Sequence, residues 1–240
     1  MRVDVAVTPQ ALDGGLSDRT ALVVDVLRAS TTIIAALAAG ASAVVPVADA
    51  EEARRRLAAW PAGEAVLAGE RSGEPLPGFH LGNSPPAFTP DRVAGKTVIL
   101  STSNGTRALL RAAGAAALGV AALVNRAAAS AWAAGQGCDV TIVCAGERGA
   151  PSLEDEVAAG LLVERLARGG AEPTAAARRA LELARRYDGD LERLARDSAW
   201  ARRLAARGWE ADVRACLALD HASLVPVYRA DIDKIVVGFR

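Results

Sequence analysis

The amino-acid sequence predicts an α/β protein of three layers (α/β/α), with a mostly parallel or mixed sheet between two layers of helices. Short runs rich in valine, isoleucine and leucine alternate with longer stretches rich in alanine, leucine and arginine through the first two-thirds of the chain. Such alternation is typical of strands joined by helical crossovers. Some of the short runs, such as residues 21–24, are apolar throughout, which favours strands that are covered on both faces.

The elements follow one another along the chain. The first helix is expected to begin near Ser30, Thr31 and Thr32, which are typical capping residues, and to end at Gly40 before a short apolar strand. We predict strands at residues 3–7, 21–27, 43–47, 65–68, 97–101, 117–124 and 140–144. We predict helices between several of them, at residues 31–39, 50–60, 106–113, 127–134 and 153–168.

The last third of the chain has a different pattern. Residues 173–219 have helical periodicity only, with arginines opposite the apolar faces. Those arginines suit a solvated surface, a helical lid or a homo-oligomer interface. Residues 224–228 and 235–239 then return as strands that rejoin the sheet. We therefore predict one α/β domain over residues 1–240, with a helix-rich insertion at about 173–219.

The composition excludes several classes of protein. The 240 residues include 28 basic and 28 acidic ones without a basic block, which argues against a nucleic acid partner. The stretch between Arg28 and Asp49 carries no charge, but Gly40 divides it into a helix and a strand. We therefore expect no membrane span.

The cysteines and the N-terminus predict a cytoplasmic protein. Three cysteines without CxxC spacing suit a reducing compartment, and the first eight residues lack the apolar core of a signal peptide. The two histidines, His80 and His221, are too far apart for an HExxH motif or a three-histidine zinc site. A divalent metal would therefore rest on oxygen ligands.

The first candidate site lies in the strand at 21–27 and the helix after it. A carboxylate in an apolar strand costs free energy unless a cation compensates it, so Asp25 is expected to pair with Arg28 or to bind Mg²⁺. Ser30 and Thr31 could cap the next helix or bind a phosphate there. The spacing leaves both interpretations open.

The second candidate site follows the strand at 97–101. Ser103, Asn104, Gly105 and Thr106 precede a stretch of helical character, which argues against a hairpin turn at Asn-Gly. A glycine among hydroxyl and amide side chains at a helix start is suited to hold an anion, although simple capping explains the same residues. The stretch matches neither a Walker A loop nor GxGxxG, so a nucleotide is not indicated.

The third candidate site follows the strand at 140–144. Ser152 and Asp155 have the spacing of a capping box. Glu154 and Asp155 are also adjacent carboxylates at the edge of the sheet where ligands bind, and Mg²⁺ prefers such ligands. Cys144 is expected to be a core residue, because no histidine lies near it in sequence to lower its pKa.

A long loop adds further polar residues. Residues 69–90 are rich in proline and glycine and too long for an ordinary connection, and long ordered loops are often functional. The loop contains the pairs Glu70-Arg71 and Asn83-Ser84, which could close over a ligand.

With these residues in view, the chain resembles the 2-phosphosulfolactate phosphatase family, the Mg²⁺-dependent enzymes of coenzyme M biosynthesis. The similarity covers nearly the whole chain in the family's order. Two departures are that His80 stands where an acidic residue is common and that Ser101 and Ser103 replace the more usual threonines. The matching stretches are 24–33 (VDVLRASTTI), 69–73 (GERSG), 78–85 (GFHLGNSP), 102–106 (TSNGT), 144–160 (CAGERGAPSLEDEVAAG), 211–220 (ADVRACLALD) and 225–228 (VPVY).

The resemblance implies hydrolysis of 2-phospho-3-sulfolactate to 3-sulfolactate and phosphate, on a three-layer fold. This substrate is a small anionic phosphorylated hydroxy acid, so its site must hold several negative charges. Arginine side chains are candidates for that task, in the order Arg28, Arg148, Arg71, Arg107 and Arg126.

The resemblance and the three candidate sites together lead to one hypothesis. The metal would be Mg²⁺, held by Asp25, by Glu70 and by one or both of Glu154 and Asp155. The catalytic residues would be Asp25, Arg28, Asn104 and Arg148. The substrate would be bound by Ser30, Thr31, Arg71, Asn83, Ser84, Ser103, Gly105 and Thr106.

Three alternatives stay open. The substrate could be another phosphorylated 2-hydroxy acid, or the protein could bind a small anion without catalysis. In the catalytic case, water could attack the phosphorus directly or Asp25 could be phosphorylated first.

Overall fold

The computed structural model describes residues 1–12, 14–187 and 189–239. The strands in this part of the chain are β1 (Arg2–Ala6), β2 (Arg19–Val24), β3 (Ala43–Pro46), β4 (Ala65–Arg71), β5 (Glu74–Pro75), β6 (Thr97–Ser101), β7 (Ala117–Ala121), β8 (Asp139–Cys144), β9 (Glu172–Pro173), β10 (Val225–Arg229) and β11 (Lys234–Phe239). The helices are α1 (Ala29–Ala38), α2 (Ala50–Ala58), α3 (Pro90–Val93), α4 (Gly105–Ala112), α5 (Arg126–Gly135), α6 (Leu153–Arg168), α7 (Ala175–Arg185), α8 (Leu191–Asp197), α9 (Ala199–Ala205) and α10 (Glu210–Cys216).

These strands form one mixed sheet in the order β5-β4-β6-β3-β11-β10-β7-β2-β8-β1-β9. The block β4, β6 and β3 is parallel within itself, and so is the block β7, β2, β8, β1 and β9. The antiparallel hairpin β10–β11 separates the two blocks. The predicted return of the C-terminal strands is confirmed, and they lie in the middle of the sheet.

The alternation of side chains along the strands produces two helical layers. On β2, Ala21 and Val23 face the side covered by α1 and α4, whereas Leu22 and Val24 face the side covered by α5, α6 and the helices after them. Helix α2 packs on β3, β4 and β6 through a smaller cluster around Ala53. Helices therefore cover both faces, and the predicted α/β class is confirmed.

Two predicted strands extend three residues past the observed ends. The strand predicted at 21–27 ends at Val24, because the backbone N–H of Asp25 bonds to the Ser30 hydroxyl and the Asp25 carbonyl accepts from the Ser30 N–H. The strand predicted at 117–124 ends at Ala121, and the chain then forms one 3₁₀ turn at Leu123–Asn125. Both corrections fall where the chain leaves the sheet.

The environment of Cys144 and the lengths of the helices were also predicted. Cys144 is buried in the core as predicted, and burial raises the pKa of its thiol. None of the helices in the described ranges has both the length and the apolar character that crossing a bilayer requires.

Candidate active site

A cavity of about 230 Å³, here called the inner cavity, lies where β2, β4, β6 and β8 lead into their loops. The three candidate sites and the long loop all contribute to its lining. The lining includes these predicted site residues: Asp25, Arg28, Glu70, Arg71, Asn83, Ser103, Asn104 and Arg148.

In a flat sheet, the C-terminal ends of β2 and β6 would lie at opposite edges and could not line the same cavity. These strands belong to the two different parallel blocks, which run in opposite directions, and five strand-to-strand steps separate them. At the usual twist of about 20–25° per step, five steps rotate the strand direction by on the order of 100°. The sheet wraps around α1 and α4, and the start of α4 after β6 contacts the loop after β2.

Asp25 is buried where the loop leaves β2. Its Oδ1 accepts a hydrogen bond of 3.1 Å from the N–H of Ala29 in the first turn of α1. Its Oδ2 lies against Gly105, where an added Cβ would be 2.6 Å from that oxygen and 2.4 Å from the Cβ of Ala29. Gly105, predicted to bind substrate, therefore provides the space that the Asp25 carboxylate occupies.

The carboxyl group of Asp25 is held in an environment that disfavours its charge. Burial raises the pKa of Asp25 to about 7, with smaller upward contributions from Glu70 and Glu154. The hydrogen bond from Ala29 and the charge of Arg28 act in the opposite direction. A cation in the cavity would favour the ionised form.

Glu70, near the end of β4, is fixed by three donors. Oε1 accepts from the N–H of Ser103 at 2.7 Å, and Oε2 accepts from the N–H of Gly73 at 2.7 Å and from the Ser103 hydroxyl at 3.1 Å. The hydroxyl that was predicted to bind substrate thus supports a carboxylate. Ser101, the other serine where the family more often has threonine, accepts a hydrogen bond from Arg71.

Asn83 is 4% exposed and lines the inner cavity. Its backbone carbonyl accepts a hydrogen bond from Thr32, but its side-chain oxygen Oδ1 is buried without a hydrogen-bond partner among the described residues. Buried polar atoms are nearly always paired in native proteins, and those that are not call for a ligand, ion or water. The amide oxygen of Asn83 is therefore available to a cavity ligand.

Arg28 pairs with Asp212 of α10, and not with Asp25 as the ion-pair interpretation of the sequence expected. Its Nη1 lies 2.5 Å from Asp212 Oδ2, its Nη2 donates to the Gly73 carbonyl at 2.8 Å, and its guanidinium stacks on Trp209. Asp212 is buried and also accepts from the Ser84 hydroxyl at 2.7 Å. Sequence reasoning missed Asp212, although the family-like stretch 211–220 contains it.

Four predicted substrate-binding hydroxyls bond within the protein. Ser30 accepts from the N–H of Asp25 and donates to the Val23 carbonyl, and Thr31 donates to the Val26 carbonyl. Ser84 donates to Asp212, and Thr106 exchanges hydrogen bonds with Thr102. None of these four lines the inner cavity. The structure gives these hydroxyls the role of holding the loops around the cavity.

The structure makes a specific prediction for Thr106. Its hydroxyl is fully buried, accepts from the Thr102 N–H at 3.1 Å and lies 3.2 Å from the Thr102 carbonyl. Thr106→Val leaves buried partners unpaired, so we expect a loss of about 1–3 kcal/mol in unfolding free energy and an unchanged KM. Thermal melts and steady-state kinetics measure the two effects. A raised KM at an unchanged melting temperature would return Thr106 to the substrate site.

Glu154 and Asp155 do not line the inner cavity itself. They line a much smaller one of about 10 Å³, the space of a single water molecule, which Asp25 and Asn104 also border. Asp155 accepts hydrogen bonds from the N–H groups of Val26 and Gly146, and Glu154 accepts from the Ser198 hydroxyl. Burial raises the pKa of both carboxyl groups.

These contacts change the interpretation of the third candidate site. Ser152 accepts no hydrogen bond from the first turn of α6, so the capping box is wrong. Asp155 instead links the loop after β2 to the loop after β8. Within residues 1–12, 14–187 and 189–239, no three histidine, cysteine or acidic side chains converge as a metal cluster. Only Asp25 and Glu70 of the four predicted metal ligands line the inner cavity.

The helix-rich segment closes one side of the cavity. Trp200 of α9 donates to the Leu27 carbonyl at 2.8 Å, Arg203 pairs with Glu147, and Arg207 donates to the Ser72 carbonyl. Two residues from the sequence analysis lie elsewhere. Arg126 pairs with Asp220, and His80 accepts a hydrogen bond from the N–H of Leu67 on β4.

Comparison with known proteins gives the family of the chain. The profile of the family described as 2-phosphosulpholactate phosphatase matches residues 6–231. A Synechococcus sp. (strain CC9605) protein named probable 2-phosphosulfolactate phosphatase is 43% identical over 232 residues, which cover 94% of this chain and 96% of the relative. A protein of the same name from Symbiobacterium thermophilum is 42% identical over 216 residues, covering 89% and 92%.

A third relative with that name, from Thermosynechococcus vestitus, is 39% identical over 236 residues, covering 94% of this chain and 96% of its own. The matches span the loops that line the inner cavity as well as the helix-rich segment. The chain belongs to the 2-phosphosulpholactate phosphatase family.

Proposed function

We propose that this protein hydrolyses the phosphate monoester 2-phospho-3-sulfolactate to 3-sulfolactate and inorganic phosphate, with Mg²⁺ as its cofactor. The names of the relatives support the substrate. The observation that carries the proposal is the inner cavity, where two buried carboxylates, an unpartnered amide oxygen and several arginines line one small volume. A metal-assisted phosphatase needs this combination of oxygen ligands and positive charge.

Asp25, Glu70 and Asn83 are the residues that would hold Mg²⁺. Their side chains offer hard oxygen ligands, and Mg²⁺ commonly combines one or two carboxylates with water and substrate phosphate oxygens. The unpartnered Oδ1 of Asn83 supports this assignment, because a bound cation would satisfy it. When bound, the metal would polarise a phosphoryl oxygen and orient the attacking water.

The remaining polar residues would bind and stabilise the phosphoryl group. Arg28 is held in one orientation by Asp212 and Gly73, so its guanidinium would be in a fixed position to stabilise the negative charge that increases during ester cleavage. Asn104 accepts from the backbone N–H of Arg148 through Oδ1, which leaves its Nδ2 group to donate to a phosphoryl oxygen. Arg148 also lines this cavity.

Phosphate release tests this proposal directly. We expect the purified protein to release phosphate from phosphosulfolactate in the presence of Mg²⁺, to lose the activity in EDTA and to regain it when Mg²⁺ is added in excess. The same assay with phospholactate measures the preference for the sulfonate. Full activity in chelator would contradict the metal assignment.

The same assay separates the alternatives. Equal rates with phospholactate would favour another phosphorylated 2-hydroxy acid as substrate. Tight binding of 3-sulfolactate without phosphate release from any ester would favour a protein that binds small anions without catalysis.

A further inference from the structure

A second depression, here called the outer groove, adjoins the inner cavity. Its volume is about 700 Å³. It shares Ser103, Asn104, Arg107 and Arg148 with the lining of the inner cavity, so the two volumes are neighbours across these residues. The residues that belong to the outer groove alone are Pro9, Gln10, Arg111, Ala145 and Gly149.

The outer groove is lined by three arginines and by no described carboxylate. Arg107 and Arg111 are four residues apart on α4, so their side chains share one face of the helix and repel each other. Neither forms an ion pair with a residue that the structure describes, whereas Arg28 and Arg203 beside the inner cavity pair with Asp212 and Glu147. An anion in the groove would relieve this repulsion.

The two volumes differ in charge in a way that orients a substrate with several negative groups. The inner cavity is lined by four arginines and also by the carboxylates of Asp25, Glu70 and Glu147, so with a divalent cation bound there it suits one phosphate. These carboxylates would compete with a further anion for the arginines, whereas the outer groove has no described carboxylate. The outer groove provides guanidinium groups for that anion, and guanidinium binds oxyanions with two parallel hydrogen bonds.

We propose that the outer groove is a specificity subsite that binds the second strongly acidic group of the substrate, a sulfonate or a carboxylate. Arg107, which borders both volumes, contacts that group, and Arg111 one turn further along α4 adds to the attraction. The phosphate then lies inward, beside Asp25, Glu70 and Asn83. The identity of the substrate rests on the proposed function, while the position of the anion rests on the arginines.

Kinetics with matched substrates test the subsite. Arg107 is exposed, so Arg107→Gln should leave the fold intact, as checked by circular dichroism. We expect this variant to lower kcat/KM for phosphosulfolactate by about tenfold or more, mainly through KM. The rate with ethyl phosphate, which has no second anion, should fall by a smaller factor, because Arg107 also borders the inner cavity. Arg111 borders the outer groove alone, so Arg111→Gln should lower kcat/KM for phosphosulfolactate by less than Arg107→Gln does and should leave the rate with ethyl phosphate unchanged.

Arg165→Gln is the control substitution. Arg165 is exposed on the last turn of α6, about 15 Å along that helix from the acids of its first turn. Removing its charge should leave the kinetics with both substrates unchanged. An equal loss in the Arg107 and Arg165 variants would overturn the subsite, because it would mean that net charge alone attracts the substrate.

Calorimetric binding separates the subsite from the proposed reaction. We expect Arg107→Gln to weaken binding of 3-sulfolactate by about tenfold. Lactate, which has the carboxylate but no sulfonate, shows which acidic group Arg107 contacts. A loss of affinity for 3-sulfolactate alone assigns the sulfonate, and a similar loss for both ligands assigns the carboxylate. If the wild type released no phosphate but this loss were measured, the subsite would stand without the reaction. Phosphosulfolactate hydrolysis with unchanged kinetics and binding in the variant would overturn the subsite and leave the reaction in place.

Discussion

Asp25→Asn is expected to lower kcat by on the order of 10²-fold or more in a protein that stays folded. The substitution keeps the size of the side chain and an oxygen to accept from the Ala29 N–H, but it removes the negative charge that would hold Mg²⁺. Phosphate release under saturating substrate and Mg²⁺ measures the loss. Circular dichroism shows whether the fold is retained.

The stability of this variant distinguishes a catalytic Asp25 from a structural one. In the folded protein the pKa of Asp25 is raised from 3.8 to about 7, so the folded state binds this proton more tightly than the unfolded state does. The stability contributed by the group therefore falls as the pH rises from about 4 to about 7, and it stays low above that range. In EDTA at pH 8, Asp25→Asn should melt at the wild-type temperature or above it, and the difference should shrink towards pH 4.

Two outcomes would contradict this account of Asp25. A rate near that of the wild type, with the fold intact, would mean that the carboxylate is not a metal ligand on which turnover depends. A lower melting temperature at pH 8 in chelator would mean that the charge of Asp25 stabilises the folded chain.

Gly105→Ala is expected to disturb the site almost as strongly. A Cβ at this position would lie 2.6 Å from Asp25 Oδ2 and 2.4 Å from the Cβ of Ala29, so the start of α4 or the Asp25 loop must move. Overpacking of this kind typically costs about 1–3 kcal/mol of stability. A displacement of about 1 Å at a catalytic group can lower the rate on the order of 10²-fold. Thermal melts and kcat measurements check both effects.

Gly114→Ala is the matched control, because Gly114 lies just beyond the same helix and a Cβ there would meet nothing within 4 Å. It tests the general effect of adding a methyl group near α4. We expect wild-type activity and an unchanged or slightly raised melting temperature in this control. Full activity of Gly105→Ala would show that the Asp25 carboxylate does not need the space that glycine leaves.

The local features of the fold were predictable from the amino-acid sequence. Helix α6 was predicted with the bounds that the structure shows, and each predicted strand falls on an observed one. Periodicity and capping act over a few residues and are readable without the fold. The two-residue strands β5 and β9 escaped prediction because they are too short to have a period.

Part of the candidate site was also predictable from local sequence. Carboxylates and polar residues after strand ends pointed to Asp25, Glu70 and Asn104, which line one cavity in the structure. The family resemblance supplied the substrate class. The hydroxyls were harder to assign, because Ser30 and Thr106 are residue types that can bind phosphate, whereas in the structure their hydroxyls accept hydrogen bonds from the backbone N–H groups of Asp25 and Thr102.

The path of the sheet and the partners of buried groups required the three-dimensional structure. Nothing local shows that β10 and β11 separate two opposed parallel blocks, or that accumulated twist brings β2 and β6 to one cavity. The same holds for Asp212, which is 184 residues from its partner Arg28, and for the unpaired oxygen of Asn83. Residue type and spacing determine which polar side chains are present near the strand ends. Hydrogen bonds between distant segments determine which of these side chains are paired within the protein and which stay free to bind a ligand.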